Sequence, residues 1–302
     1  MRKIMLNGQW ELAEAGNDRS CEVQVPGSVL SGLYGAGKIE DPFYRTNEDV
    51  TRELFRKDYE FSRTFVAAED ILKEEKIILV CEGLDTLTDI YINGKKVGST
   101  DNMHRTWKLD VKGFLHSGEN QIRIVFRSVF KYIEAYEYEE NKEIHYVPCG
   151  GMKGNQLIRK AHCMFGWDWG PQTIDAGIFR DIYLEAYSHP RIDDVKITQV
   201  HGDNAVDVCT TVAVSGNDVD KCRVRVTIQE DVERICGHRT DANDRKTEAY
   251  VCKVEGTASA NDDPAVLTST IHNPKLWWPN GYGDQPLYKV QIELLDENGA
   301  VL

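Results

Sequence analysis

The chain has 302 residues, enough for one large domain or two ordinary ones, and its 41% hydrophobic and 28% charged content is that of a globular protein. Asp and Glu outnumber Lys and Arg by 49 to 36, a formal charge of −13, which is the wrong sign for a surface that grips nucleic acid. No basic amphipathic stretch points to an anionic membrane.

At the N-terminus, Arg2 and Lys3 are not followed by the apolar core of about seven residues that a signal peptide needs. Nor does any run of about 18 apolar residues occur. Gly27 to Gly35 predicts a short helix with Ser28 near its cap. Ile77 to Cys81 is a continuous apolar run suited to a strand covered on both faces. Ile90-Tyr-Ile92, Asn93-Gly94 and Lys95 to Val97 then read as a hairpin, because both central residues of a type I′ turn need positive φ. In Gln121 to Arg127, Ile122, Ile124 and Phe126 share one face of a strand. Phe130 to Glu140 predicts a second short helix without a clean core face.

Residues 165–171 read Phe-Gly-Trp-Asp-Trp-Gly-Pro. Two readings stand. In one, Trp167 and Trp169 offer flat apolar faces to a sugar ring while the Asp168 carboxylate accepts from adjacent hydroxyls, and the glycines let the backbone come close. In the other, the same residues form a buried aromatic cluster with a capping Asp at a β-corner.

Asp181 to Tyr187 predicts a strand with Ile182, Leu184 and Ala186 inward. At His189-Pro190 the texture changes, which predicts domains over 1–188 and 189–302. In the second, Val206, Val208, Thr210, Val212 and Val214 share a face, as do Cys222, Val224, Val226 and Ile228. Strands at roughly 8–12-residue spacing suggest a β-sandwich. Gly237 to Lys246 reads as an exposed hairpin or disordered loop. Leu276-Trp277-Trp278-Pro279 before Asn280-Gly281 is read as anchoring an edge strand, in preference to stacking sugars. At the C-terminus, Asn298-Gly299 would turn a hairpin whose return strand is barely begun, so the end reads as cut.

The eight cysteines, at 21, 81, 149, 163, 209, 222, 236 and 252, form no C-x-x-C pair and no zinc-spaced cluster with His. They are read as free thiols in a reducing, cytoplasmic compartment. His162 and Cys163 are not read as a catalytic dyad, since neighbours on a strand point to opposite faces. No phosphate loop, nucleophile elbow, dinucleotide fingerprint or zinc-protease motif is present. Among carboxylates, Asn47-Glu48 and the acidic run Glu137 to Glu143 are weak candidates for acid/base work, and Asp168 alone sits in a setting suited to sugar contact. One acid cannot be both proton donor and nucleophile. The residues therefore support sugar binding better than cleavage.

Val25-Pro-Gly-Ser-Val29 through Asp41-Pro-Phe-Tyr-Arg-Thr-Asn-Glu48, then Glu82 through Gly94, then Arg159-Lys160 with Phe165 to Pro171 and Gly177 to Asp181, then Leu276 through Tyr288 follow one another in a known order. With these four segments the chain resembles, over essentially its whole length, the N-terminal part of the β-mannosidases of glycoside hydrolase family 2. Phe-Gly-Trp-Asp-Trp-Gly-Pro favours that branch over the β-galactosidases and β-glucuronidases. The resemblance implies an all-β fold, a jelly-roll-type sugar-binding β-sandwich followed by an immunoglobulin-like β-sandwich. It implies a parent enzyme that removes terminal β-D-mannose from manno-oligosaccharides, exo-acting and retaining, without cofactor or metal. Both catalytic glutamates would lie in a following (β/α)₈ barrel of about 250 residues, leaving this part non-catalytic and inactive alone. Asn47-Glu48 echoes the family's Asn-Glu acid/base pair but falls in the opening motif, so it cannot be that residue. Trp167 and Asp168 match positions that reach into the barrel's terminal-mannose subsite, and Arg159 is expected to orient that loop by pairing with a carboxylate. The implied partners are β-mannoside oligosaccharides, the barrel of the same chain and a second copy in a homodimer. A stand-alone carbohydrate-binding module and a pure scaffold are the alternatives.

Overall fold

The computed structural model describes residues 2–140, 150–231, 251–258 and 264–302. The segment Gly237 to Lys246, with Cys149 and Cys236, lies outside them. The chain divides into two compact units, Met1–Tyr187 and Ser188–Leu302. Both are built from antiparallel β-sheet, as the all-β expectation requires.

In the first unit the elements run β1 (Arg2–Met5), β2 (Gly8–Glu14), β3 (Ser20–Val25), α1 (Val29–Gly35), α2 (Asn47–Leu54), β4 (Tyr59–Ala67), α3 (Glu69–Leu72), β5 (Lys76–Cys81), β6 (Leu84–Asp85), β7 (Thr88–Ile92), β8 (Lys95–Thr100), β9 (Trp107–Asp110), β10 (Gly118–Phe126), α4 (Val129–Glu140), β11 (Gly177–Ile178) and β12 (Ile182–Tyr187). A six-stranded sheet, ordered β3-β2-β4-β10-β7-β8, and a four-stranded sheet, β1-β12-β5-β9, supply most of one buried cluster. Alternation explains the packing: Trp10 and Leu12 of β2, Phe61 and Phe65 of β4, and Ile122, Ile124 and Phe126 of β10 all point inward. Phe61 and Phe126 meet edge to face, their centroids 5.3 Å apart. β5 is buried along nearly its whole length, and burial pushes the Cys81 thiol up to about 12, which keeps it protonated and inert.

Local signals are met where they were strong. Ser28 caps α1 in a capping box with Ser31. Asn93 and Gly94 take φ of 50° and 76° between β7 and β8, the positive-φ pair that the hairpin needs. The Asn93 amide also donates to the Phe114 carbonyl and to Asn120 Oδ1, and its oxygen accepts from the Gln121 N–H.

The second unit holds β13 (Arg191–His201), β14 (Ala205–Ser215), β15 (Arg223–Glu230), β16 (Val251–Thr257), β17 (Ala265–His272) and β18 (Tyr288–Leu295). They form two sheets, β13-β14-β17 and β16-β15-β18, whose inward faces share one buried cluster. Val206, Val208, Val212 and Val214 of β14 and Val224, Val226 and Ile228 of β15 are its centre. Residues 273–287 are irregular, so Trp277 and Trp278 themselves lie in no strand. Pro274, Pro279 and Pro286 cannot donate to a ladder, and the segment instead closes on itself through Trp278 N–H to the Asp284 carbonyl, 2.9 Å, and Tyr282 N–H to the Pro279 carbonyl, 3.0 Å. Both tryptophans are about half exposed, beside a cleft of about 330 Å³ lined by Gln199, His201, Val208 and Ile271. No described helix is long and apolar enough to cross a membrane.

Candidate functional site

The aromatic heptapeptide is a loop with a firm base and a free tip. Ile158 and Phe165 before the tip and Ile174 after it are buried in the first unit's core. Between the first two, the fully buried Lys160 donates to the Asp85 carboxylate on β6 and to the Asp175 carbonyl, 2.6 Å. An ammonium this far from water survives only because both partners are charged or strongly polar. Asp175 in turn accepts from the N–H groups of Leu30, at the start of α1, and Ala176, 3.1 and 2.8 Å away. Burial still holds its carboxyl above the usual aspartate range, against the lowering pull of Ser28, those two N–H groups and Lys160.

From this base the chain passes through a 3-10 turn, His162–Phe165, and reaches the tip. His162 and Cys163 therefore do not lie on a strand, and the alternation argument about them does not apply; both are exposed. The tip is a two-residue turn. Trp167 and Gly170 exchange N–H···O bonds of 3.2 and 3.3 Å, leaving Asp168 and Trp169 at the apex. Trp167 is 45% and Trp169 82% exposed, and Asp168 is exposed too, with no bonding partner for its carboxylate among the described residues. The buried-cluster reading of these residues is thereby excluded: two indoles and the Asp168 carboxylate face solvent. Such an apex can take an apolar face and two hydroxyls at once.

Beneath the tip lie residues that the sequence reading did not bring together. Gly150, at φ 75°, runs against the Trp167–Asp168 peptide, close enough that a Cβ there would touch it at 3.5 Å. Gln172 donates from Nε2 to the Gly150 carbonyl, 2.8 Å, accepts from Arg52 and gives its own N–H to Glu48 Oε2, 3.3 Å. Gly166, at φ 85°, leaves the space that the Gln172 side chain fills. Glu48 and Arg52 stand one turn apart on α2, which Thr51, the adjoining Phe55 and the Ser128 hydroxyl bonded to the Phe55 carbonyl at 2.6 Å fix to the unit. An unused signal for the helix start stands in Thr46-Asn-Glu-Asp49, acidic in its first turn, and nothing local links it to residue 172.

Arg159 is exposed, with its backbone bridged to Asn102 and its carbonyl accepting from the Met103 N–H at 3.0 Å. Among the described residues its guanidinium has no carboxylate partner; its neighbour Lys160 makes the ion pair. Among the described residues no group of three or more His, Cys, Asp and Glu side chains is placed to hold a metal ion.

Residues 10–180 match the family described as glycosyl hydrolase 2 galactose-binding domain-like, and residues 191–302 match glycosyl hydrolases family 2. The chain is similar to the β-mannosidase of Mus musculus, 28% identical over 95% of this chain and 32% of that protein. It is similar to β-mannosidase B of Emericella nidulans, 29% identical over 97% of this chain and 33% of that protein. It thus spans about a third of the length of the curated relatives it matches. Among solved structures, the β-D-mannosidase of Dictyoglomus thermophilum is 30% identical with a TM-score of 0.78, covering 100% of this chain and 35% of that one. A Bifidobacterium dentium β-glucuronidase shares the fold at 20% identity and a TM-score of 0.58, over 99% of this chain and 46% of that one. With both units matched in order, the chain belongs to family 2 of the glycosyl hydrolases.

Proposed function

We propose that this chain is the N-terminal, non-catalytic part of an exo-acting, retaining β-mannosidase, and that Trp167 and Asp168 contribute to the subsite for the terminal mannose. The observation that carries the reading is the apex itself, a carboxylate without a partner among the described residues, between two solvent-facing indoles on a braced turn. The names of the relatives and the share of their length that the chain spans supply the substrate class and the larger enzyme. Asp168 would accept from sugar hydroxyls and Trp167 would wall the subsite, while the paired glutamates that a retaining mechanism needs, about 5–5.5 Å apart, would come from a barrel beyond this chain. Arg159, exposed on the segment that leads to the turn, is proposed to orient the loop beside them.

The test is Asp168→Asn in the full-length protein. A charge-assisted hydrogen bond contributes roughly 1.5–3 kcal/mol, so kcat/KM for an aryl β-mannoside should fall about 10- to 100-fold while the melting temperature holds. Unchanged kcat/KM would remove Asp168 from the subsite. Hydrolysis of the same substrate by this chain alone, abolished by a point change within it, would overturn the non-catalytic reading.

A further inference from the structure

We infer that Glu48 is a positioning residue, which acts through Gln172 to hold Asp168 in place; the inference rests on the proposed sugar contact of Asp168. A two-residue turn closed by bonds of 3.2 and 3.3 Å does not by itself fix the direction of its apex. What fixes it is a strut of three links. Glu48 accepts the Gln172 N–H on one side of the turn. Gln172 carries the connection across with its side chain, bonded to the Gly150 carbonyl and held by Arg52. Gly150 then supports the Trp167–Asp168 peptide from below. The far end of the strut is rigid, since Thr51 and Phe55 are 2% and 3% exposed. Arg52 is itself steadied by Asp49, which leaves its guanidinium bridging the helix and the turn. Glu48 thus belongs to the support of the site, not to its chemistry. A carboxylate suits that task because it accepts from a backbone N–H more strongly than a neutral oxygen does.

The experiment compares Glu48→Ala, Glu48→Gln and Asp168→Asn, singly and combined, in the full-length protein, reading kcat/KM on an aryl β-mannoside and the melting temperature. A displaced apex costs activity steeply, so Glu48→Ala should lower kcat/KM roughly tenfold or more at an unchanged melting temperature. Glu48→Gln keeps an acceptor for the Gln172 N–H and should restore most of that loss. In the Asp168→Asn background Glu48→Ala should add less than about twofold, because the two act as one unit. Where Glu48→Ala does not fold, Gln172→Ala keeps the backbone N–H to Glu48 but breaks the strut at its next link, the side-chain bonds to Gly150 and Arg52, and carries the same comparison. Full additivity with Asp168→Asn, or wild-type activity of Glu48→Ala beside an impaired Asp168→Asn, would overturn the strut and leave the sugar contact standing. Wild-type activity of Asp168→Asn would sink the contact, and the strut's purpose with it.

Discussion

The two units close their cores with different materials. The first buries Trp10, Phe55, Tyr59, Phe61, Phe65, Phe126 and Phe165 together with aliphatic residues, and it encloses the Lys160–Asp85 pair. In the second, the buried core among the described residues is Val, Ile, Leu, Ala and Cys, while Trp277, Trp278 and Tyr282 stay exposed. The difference follows from what each must hold. Two short sheets with alternating valines close on each other, and small branched side chains fill the gap. The first unit must also anchor residues 150–178, which contain no long strand. Large rings and a buried ion pair tie such irregular backbone down, where a pleat offers no repeating face to bury.

If that contrast is right, the largest effect will come from the pair. Lys160→Met leaves the Asp85 carboxylate buried without its counter-charge, which should cost about 3–5 kcal/mol. Native-state hydrogen exchange should show the loss at Leu79 and Leu184 of the first unit while Val212 and Val226 keep their protection. An equal loss at Val212 would mean that the two cores do not open separately. A smaller change sharpens the other half: Ile228→Val should cost roughly 0.5–1.5 kcal/mol, read at Val212 and Val226 and not at Leu79.

The smallest effect concerns Asp175 and has a definite sign. Burial raises its folded-state pKa above the value of about 3.9 expected unfolded, so the folded chain holds the proton more tightly. Its contribution to stability is then greatest at low pH and is lost as pH rises through the raised pKa. Asn keeps an oxygen for the Leu30 and Ala176 N–H groups without the charge. Asp175→Asn should therefore raise the melting temperature slightly at pH 7, with the gain gone near pH 4. A lower melting temperature at pH 7 would show that the attraction of Lys160 outweighs burial.

What the sequence made legible was whatever repeats locally. A continuous apolar run marked β5, period-two runs marked β10, β14 and β15, and Asn93-Gly94 marked a hairpin, because neighbours along the chain set those features. α2 escaped for a physical reason. Its apolar residues are few, with Val50 63% exposed, and it is held by Thr51 and the adjoining Phe55 instead of an apolar stripe. The tandem tryptophans are read as anchoring an edge strand because Trp-Trp-Pro enters an Asn-Gly turn, and three prolines in 274–286 keep that segment itself irregular. At the site, glycines and a proline announced a turn at 165–171, but its braces come from residues 48, 52 and 150. The bonds from residues 48 and 52 to residue 172 span 124 and 120 positions and leave no spacing to read.

The apex of the aromatic turn takes no part in closing the core, since Asp168 and Trp169 face solvent and the chain regains pairing at once through Trp167 and Gly170. With the proposed sugar contact at this apex, a change of recognition at these two positions leaves the core untouched. New side chains can be tried at the apex while Lys160, Phe165 and Gln172 keep the loop in place, so preference for one sugar over another can drift within a lineage without passing through unfolded intermediates. In evolutionary terms, the turn is a replaceable tip on an inherited mount.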